Sequence, residues 1–485
     1  MINVSIEKHG KYAVLESDRF EEIREHFSEA DQNAKFAQRI NKHIPSRQYA
    51  ITPTGRFDAP LFSEILKYIL SQGIKEQVNA TPEFKRAICP AKELWKTNTP
   101  NYSDKPYELT LPLRDYQQDI VMKCLNVGRG TIVLATAGGK TLTMGSLISR
   151  IYTFYPPGEF KCLLIVPDRG LVEQTYNDLV SYKVPFTISK WTGDDALDLS
   201  ADVIIANVGI LQSENSNINW IEFVDLLVVD EVHKIRRGNK ISDLIKTIKT
   251  PCKFGFTGTL PEGLLDQWNI IGKIGPILYE KDSKALRAEK YVADVLCQII
   301  NIKYKKLPTA TLTDKVTYRE EVDFLVNSPF RNEVVGKLAK TVNKNCLILI
   351  DYIAHGQAVE QAVKSACPNK LVFFVQGSVE IEERERIKEL MEKGNDVVVV
   401  AVSKIFSTGI NIKNLHYIIF AGGGKAKIKI VQSIGRGLRL HENKNRLVLL
   451  DIADDLNYGI KHAEKRQSLY TKEGIPFVIE EITEK

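Results

Sequence analysis

The stretch GGKT at residues 138–141 contains residue types that bind phosphate groups. Glycine lets the backbone approach a phosphate, lysine neutralises its charge, and a threonine hydroxyl can bind Mg²⁺. The full pattern would also have glycine at positions 134 and 137, where this chain has Leu134 and Ala137. Because a strand-like run precedes the stretch and a helical pattern follows it, it predicts either a nucleotide-binding loop or an ordinary strand-to-helix turn.

A second stretch, DLLVVDEVH at residues 225–233, places Asp230 and Glu231 at the end of an apolar run, with His233 two residues further on. Adjacent carboxylates can hold a metal ion and orient an attacking water. Alone, they would rather be interpreted as a solvated loop or a helix cap. A phosphate loop about ninety residues upstream makes the metal-site interpretation the stronger one.

A third stretch, QSIGRGLR at residues 432–439, places Gln432, Arg436 and Arg439 at spacings of four and three. On a helix these side chains share one face. Guanidinium groups on such a face can stabilise the charge of a transferring phosphoryl group. The alternative is a basic face that is solvated or contacts nucleic acid.

Two sets of short apolar runs predict the elements that position these residues. The first set lies between residues 130 and 259 and includes GTIVLATA, KCLLIVPD and DLLVVDE, and the second lies between 346 and 455. The runs do not alternate with polar residues, as expected for strands buried on both faces of a parallel sheet. We predict two doubly wound α/β domains, at residues 106–288 and 289–485, and a small N-terminal α+β domain at residues 1–105.

Composition fits a globular protein, since apolar residues make up 44% and charged residues 26% of the 485 residues. The formal net charge of +6 is too small to establish a polyanionic partner, but residues 401–450 contain nine Lys and Arg and one acid. Seven scattered cysteines without a C-x-x-C pair predict neither a zinc site nor a disulfide framework. We expect no secretion signal, no membrane span and a cytoplasmic protein.

Taken in order, the motifs resemble those of superfamily 2 DExH-box helicases, which contain two tandem RecA-like domains. LRDYQ, residues 113–117, resembles the adenine-recognising segment, and DEVH resembles the DExH box. FTGTL, residues 256–260, resembles motif III, VSKIFSTGINI, residues 402–412, resembles motif V, and QSIGRGLR resembles motif VI.

The resemblance implies ATP and Mg²⁺ as cofactors and assigns roles to individual residues. Catalysis is expected from Lys140, Asp230, Glu231, Arg436 and Arg439. ATP contacts are expected from Arg114, Gln117, Ala137, Gly138, Gly139, Lys140, Thr141, Gly409, Asn411 and Gln432, and Mg²⁺ contacts from Thr141 and Asp230. Coupling is expected from His233, Thr257, Gly258 and Thr259, and DNA contacts from Pro167, Arg169, Asn207, Gly209, Lys404, Ser407 and Thr408.

Because the predicted catalytic residues lie in both α/β domains, a complete ATPase site is expected only when the two domains close. Two other stretches stay open between loop and nucleic-acid contact: WTGDD at residues 191–195 and AGGGKAKIK at residues 421–429.

Within superfamily 2, the chain most resembles phage recombination helicases of the UvsW type. This implies an ATP-dependent DNA helicase that acts on branched DNA in recombination, repair and replication. It would migrate Holliday junctions, regress forks and unwind or anneal strands. Expected partners are branched, forked, duplex or single-stranded DNA and phage recombination or replication proteins, with a monomeric protein in the host cytoplasm. The alternative is a motor subunit that translocates on duplex DNA, or an RNA-remodelling ATPase.

Overall fold

A computed structural model describes residues 1–7, 12–30, 46–73, 77–94, 109–213, 216–305, 316–403, 412–422, 444 and 446–484. Contacts divide the chain into two compact units, residues 1–134 with 139–280, and residues 135–138 with 281–485. Each unit is built around a seven-stranded sheet flanked by helices. This confirms the prediction of two doubly wound α/β folds.

The N-terminal part of the chain forms a small α+β layer with its own sheet. Strands β1, β2, β5 and β6 pair in the order β5-β2-β1-β6, and β3 pairs with β4. The strands are β1 Ile2–Ile6, β2 Ala13–Ser17, β3 Ser28–Ala30, β4 Arg47–Tyr49, β5 Arg56–Phe57 and β6 Val78–Ala80. The helices are α1 Phe20–His26, α2 Phe62–Ser71, α3 Pro82–Ile88 and α4 Ala91–Leu94, with a 3₁₀ turn at Ala59–Leu61.

The first seven-stranded sheet has the order β13-β7-β12-β11-β8-β10-β9. Its strands are β7 Gly130–Leu134, β8 Cys162–Val166, β9 Ile188–Trp191, β10 Val203–Asn207, β11 Leu226–Asp230, β12 Lys253–Thr257 and β13 Ile277–Lys281. Its helices are α5 Asp115–Val127, α6 Lys140–Tyr152, α7 Arg169–Ser181, α8 Val208–Leu211, α9 Lys240–Thr247 and α10 Leu264–Lys273, with 3₁₀ turns at Asn219–Phe223 and Val232–Lys234.

The five predicted apolar runs of the first domain form β7, β8, β10, β11 and β12. Four of these strands are buried along their whole length, and β11 is buried up to Asp230. These strands pair in parallel, so the motifs that follow them meet at one edge of the sheet. The predicted site residues that follow these strands lie at that edge.

The second seven-stranded sheet has the order β16-β17-β15-β18-β19-β14-β20, and all its pairs are parallel. Its strands are β14 Asp294–Lys303, β15 Cys346–Ile350, β16 Leu371–Val375, β17 Val397–Val402, β18 Tyr417–Phe420, β19 Arg446–Asp454 and β20 Phe477–Thr483. Its helices are α11 Ser283–Ala288, α12 Tyr318–Asn327, α13 Pro329–Thr341, α14 Ile353–Ala366, α15 Ile381–Lys393 and α16 Asn457–Lys472.

The N-terminal layer shares a hydrophobic core with helix α10 of the first sheet. Trp268 and Ile271 of α10 are buried in the same cluster as the aliphatic and aromatic residues of β1, β2 and α2. The ring centroids of Phe27 and Trp268 are 5.0 Å apart. The layer is therefore packed onto α10 through a continuous apolar contact.

Buried charges reinforce this contact. Lys273 of α10 forms an ion pair with Asp58, although burial by itself lowers the pKa of the lysine. The Arg129 guanidinium donates hydrogen bonds to the carbonyl oxygens of Ala87, at 3.0 Å, and Ile274, at 2.8 Å. Removal of the N-terminal layer would leave Lys273 and Arg129 with fewer partners, which is costly for buried cations.

All seven cysteines are free thiols, and six of them are buried. No helix in the described part of the chain combines the length and the apolar character needed to cross a bilayer.

Candidate active site

The loop between β7 and α6 bends through two left-handed residues. Ala137 has a φ of 67° and Gly139 a φ of 82°, and the Gly138 N–H donates to the Ala135 carbonyl at 2.9 Å. Ala137 thus adopts the conformation that favours glycine, at a position where the motif normally has one. A non-glycine residue in this conformation costs about 1–2 kcal/mol, so this loop is locally strained.

Gly139 is constrained more tightly than Ala137. A Cβ atom added to Gly139 would overlap Nε2 of Gln117. The Gln117 side chain is buried, donates to the Gly139 carbonyl at 3.3 Å and accepts from the Arg114 N–H at 2.9 Å. The structure therefore places Gln117 and Arg114, two predicted adenine contacts, at the C-terminal end of the GGKT loop, and their role in reading the base stays a prediction.

Lys140 and Glu231 lie together at the carboxyl edge of the first sheet. Nζ of Lys140 is 3.1 Å from Oε1 of Glu231, and the two side chains are only 12% and 16% exposed. Asp230, the last residue of β11, accepts a hydrogen bond at 2.9 Å from the Glu231 N–H. The lysine of the GGKT loop and the carboxylates of the DEVH stretch thus form one cluster.

The two carboxylates of this cluster have opposite pKa shifts. Burial, together with the negative charge of Glu231, raises the pKa of Asp230 to about 6. Burial also disfavours ionised Glu231, but Lys140 and His233 outweigh it and bring the pKa of Glu231 well below its usual range. Near neutral pH Glu231 is firmly ionised, whereas Asp230 is close to taking up a proton.

His233 connects this cluster to the loop after β12. Its Nδ1 atom is 3.2 Å from Oε2 of Glu231 and 2.9 Å from Oγ1 of Thr257. The Thr257 hydroxyl donates to the Thr259 carbonyl at 2.8 Å, so its oxygen is left to accept from a protonated Nδ1. Lys140, Glu231, His233, Thr257 and Thr259 form a continuous polar chain, which brings the predicted coupling residues together.

The backbone contributes to this arrangement at Glu231. Its φ of 50° is left-handed, an uncommon conformation for a residue with a long side chain. Glu231 precedes the 3₁₀ turn Val232–Lys234, which places His233 two residues later in the same cluster. Gly258, between the two threonines, lies in the bend that follows β12.

Arg169, a predicted DNA contact, is held by an acidic residue that the sequence did not single out. Its Nη1 atom is 2.8 Å from Oδ2 of Asp194, and both side chains are largely exposed. A Cβ at the neighbouring Gly193 would overlap the Arg169 guanidinium. Within WTGDD, the Thr192 hydroxyl also lies 2.7 Å from a carboxylate oxygen of Asp195, so this stretch forms a turn. The same stretch pairs with Arg169 through Asp194.

The other predicted DNA contacts of the first domain also follow strands at this edge. Asn207 ends β10 and is buried, and a Cβ at Gly209 would lie 2.9 Å from its Nδ2 atom. Pro167 follows β8 and lines a pocket of about 330 Å³ together with Asp230 and Glu231. Pro167 therefore borders the carboxylate cluster, and contact of these residues with DNA stays a prediction.

Eight predicted site residues of the second domain lie outside the described residues. They are Lys404, Ser407, Thr408, Gly409, Asn411, Gln432, Arg436 and Arg439. Most of AGGGKAKIK lies outside them as well.

The described loop and the nearby carboxylates have the features that a nucleotide site needs. The left-handed residues Ala137 and Gly139, followed by Lys140 at the start of a thirteen-residue helix, have the strand–loop–helix form of a phosphate site. Asp230 and Glu231 supply the oxygen ligands that Mg²⁺ prefers. The residues present therefore fit ATP and Mg²⁺.

Comparison with known proteins gives matches in both halves of the chain. Residues 110–262 match the family model of the type III restriction enzyme res subunit, and residues 331–441 match the helicase conserved C-terminal domain. The ATP-dependent DNA helicase uvsW of Enterobacteria phage T4 is 29% identical over 393 residues, which cover 76% of this chain and 76% of that protein.

Two further matches extend the comparison. The DNA 3'-5' translocase XPB2 of Sulfurisphaera tokodaii is 23% identical over 396 residues, which cover 73% of this chain and 85% of that protein. The crystal structure of the helicase MrfA bound to DNA matches with a TM-score of 0.56 and 14% identity, over 76% of this chain and 50% of that one. At 14% identity the structural match concerns the fold alone.

Proposed function

We propose that this chain, which belongs to the superfamily 2 ATP-dependent helicases, acts on branched DNA, where it migrates junctions, regresses forks and unwinds or anneals strands. The observation that carries the proposal is the polar chain from Lys140 through Glu231 and His233 to Thr257. This chain of contacts supports ATP hydrolysis as the driving reaction. The similarity to the T4 DNA helicase over three quarters of both chains supports DNA as the substrate.

Each described residue of the cluster has a definite task in this proposal. The curled loop and Lys140 would hold the nucleotide phosphates, and Thr141 and Asp230 would hold Mg²⁺. Bound Mg²⁺ would supply positive charge that stabilises phosphoryl transfer. Glu231 would orient the attacking water or take up its proton. Its low pKa keeps it ionised, and Lys140 and His233 both lie beside its carboxylate.

The same contacts link the carboxylate to the loop after β12. Lys140 cannot keep its full contact with Glu231 while it also neutralises a phosphate, so the position of Glu231 depends on what Lys140 binds. His233 passes any shift of Glu231 to Thr257 and Thr259. This is a physical route by which the nucleotide state would reach the loop after β12.

Arg436 and Arg439 complete the proposal from the second domain. Their spacing of three, which would place both on one face of a helix, supports a role in stabilising the phosphoryl-transfer transition state. Replacing Arg436 with Ala should leave ATP binding measurable and slow its turnover, because such an interaction acts mainly in the transition state. Loss of ATP binding alone would contradict this role.

A second candidate function is a motor that translocates along duplex DNA inside a larger complex. The match of residues 110–262 to the res subunit of type III restriction enzymes favours it. Such a motor would respond to duplex DNA regardless of branching.

ATP hydrolysis measured with forked DNA, linear duplex, single-stranded DNA and single-stranded RNA separates the two functions. We expect forked DNA to give the strongest stimulation. Equal stimulation by fork and linear duplex would favour the duplex translocase, and a preference for RNA would contradict both.

A further inference from the structure

The last strand of the second sheet, β20, has an open backbone edge. In the described part of the chain β20 pairs with β14 and with no other strand. Toward β14, the Pro476 carbonyl accepts from Cys297 at 3.0 Å and the Glu484 N–H donates to Lys303 at 2.9 Å. The direction of the backbone N–H and C=O groups alternates from one residue to the next along a strand. Since Pro476 and Glu484 face β14, the odd-numbered residues from 477 to 483 direct these groups away from β14. These residues are Phe477, Ile479, Glu481 and Thr483.

Two adjacent aliphatic residues of this strand face solvent. Val478 is 56% exposed and Ile479 is 54% exposed. Since successive side chains point to opposite faces, β20 presents one aliphatic group on each side of the sheet. Open edges usually avoid this combination, because it invites pairing with another strand.

A groove lies beside the same strand. It has a volume of about 540 Å³ and runs between helix α13 and the C-terminal end of β20. Its apolar lining is Phe330, Val334, Leu338 and Ile482. The groove is large enough to receive aliphatic side chains from a strand laid along β20.

Charge indicates what kind of strand would fit. Glu480, Glu481 and Glu484 lie on or directly after β20, and their described cationic partner is Lys303, 2.8 Å from Glu481. Two copies of β20 paired antiparallel around Glu480 would set the two Glu480 side chains directly opposite each other, which is unfavourable. A strand that carries lysine or arginine would instead find opposite charges.

We propose that β20 and the α13 groove bind an extended, basic segment of a different protein, which adds to the sheet as an eighth strand. Its backbone would pair with the outward groups of Ile479 and Glu481, and its aliphatic side chains would occupy the groove. Binding through main-chain hydrogen bonds with side-chain pockets for specificity is an established mode of peptide recognition. This inference concerns a partner surface and does not depend on the proposed DNA substrate.

The test uses the full chain and a fluorescein-labelled peptide of alternating valine and lysine, with binding followed by anisotropy. Ile479→Pro removes an outward N–H without removing a hydrogen bond to β14, and Ile479→Val is the matched control that keeps the N–H. We expect Ile479→Pro to weaken binding at least tenfold and Ile479→Val to change it less than twofold. ATP hydrolysis should be unchanged in both variants, which also shows that they are folded.

A second variant keeps the test independent of proline. The double change Glu480→Lys and Glu481→Lys should shift preference from the valine–lysine peptide to one of alternating valine and glutamate. Equal binding of both peptides by this variant, or equal binding by Ile479→Pro and wild type, would overturn the proposal. So would sedimentation in which two copies of the chain associate and Ile479→Pro abolishes that association.

Discussion

The two seven-stranded sheets both contain buried ion pairs, but the pairs differ in how completely they are satisfied. In the second sheet, the Arg331 guanidinium makes two bonds to Asp454, at 2.8 and 3.0 Å, and one to the Ala421 carbonyl at 3.0 Å. Its Nη1 atom also lies 3.2 Å from Nε2 of His355, whose pKa falls to about 3 through burial and the nearby cation. In the first sheet, Lys140 meets Glu231, while neighbouring Asp230 keeps a pKa raised to about 6.

This difference teaches what separates a structural charge from a functional one. Every polar atom of the Arg331 guanidinium has a protein partner, so the arrangement has nothing left to offer a ligand. The Asp230 carboxylate is disfavoured in its ionised form, so a bound cation would stabilise it. A carboxylate with a raised pKa beside a glycine-containing loop is therefore a stronger sign of a catalytic site than a fully paired buried charge such as Arg331.

The largest effect is expected for Lys140→Ala. Without the ammonium, phosphates lose their positive partner and Glu231 loses its orientation, so ATP turnover should fall at least about a thousandfold, or about 4 kcal/mol. Steady-state hydrolysis with forked DNA measures this, with DNA binding as the control that should persist. Unchanged turnover would remove this loop from the mechanism.

Arg331→Met tests the structural side of the comparison. Asp454 would be left buried without its main cation, so the free energy of unfolding should fall by about 3–5 kcal/mol in urea titrations. Lys337→Met on the same helix is the matched control, because Lys337 is 67% exposed and should change stability by no more than about 0.5 kcal/mol. Similar losses for both variants would mean that the buried Arg331 contributes no more to stability than an exposed lysine.

Gly139→Ala should damage the nucleotide loop, whereas Ala137→Gly should be tolerated. Gly139→Ala combines a left-handed φ with overlap of Gln117, so ATP turnover should fall at least about tenfold, with a loss of about 2 kcal/mol in stability. Ala137→Gly removes the strain of a left-handed alanine and should be tolerated. Thermal unfolding and hydrolysis rates of the two variants check this, and equal damage by both would refute it.

Asp230→Asn should stabilise the nucleotide-free protein while abolishing hydrolysis. The folded state binds a proton at Asp230 more tightly than the unfolded state, so ionisation of Asp230 lowers stability as pH rises from about 4 through 6. Removing the charge should increase the free energy of unfolding by on the order of 1 kcal/mol at neutral pH. Below pH 6, wild type and variant should converge in melting temperature, and the Mg²⁺ concentration that wild type needs for half-maximal hydrolysis should rise.

The smallest effect is expected for Asp194→Asn. It frees Arg169 from an exposed ion pair, so affinity for single-stranded DNA should increase about twofold to fivefold at low salt. Anisotropy titrations at low and physiological salt measure the gain, which should shrink as salt rises. Reduced affinity would mean that Asp194 supports the strand contact.

The sequence predicted the two parallel sheets, and the edge at which the motifs meet follows from their parallel pairing. Uninterrupted runs such as CLLIV and VVVVAV are explained by strands buried on both faces, and buried parallel strands bring the motifs that follow them together. Ala137 is left-handed, which is the backbone conformation that the usual glycine of this motif adopts without strain.

Contacts between distant residues were not predictable in this way. Arg331 and Asp454 are 123 residues apart, and neither belongs to one of the sequence motifs. The Arg169–Asp194 pair depends on a turn at WTGDD that the sequence left open. The left-handed backbone of Glu231 also leaves no trace in residue type, because glutamate rarely adopts it.

The core that the N-terminal layer shares with α10 limits how this protein can be taken apart. A cut near residue 105 would expose Trp268 and Ile271 and strip Asp58 from Lys273. A truncated protein would therefore report damage to the motor as well as loss of the layer. Grafting this layer onto another motor would require a matching apolar helix after motif III, so the layer is a poor candidate for exchange between proteins.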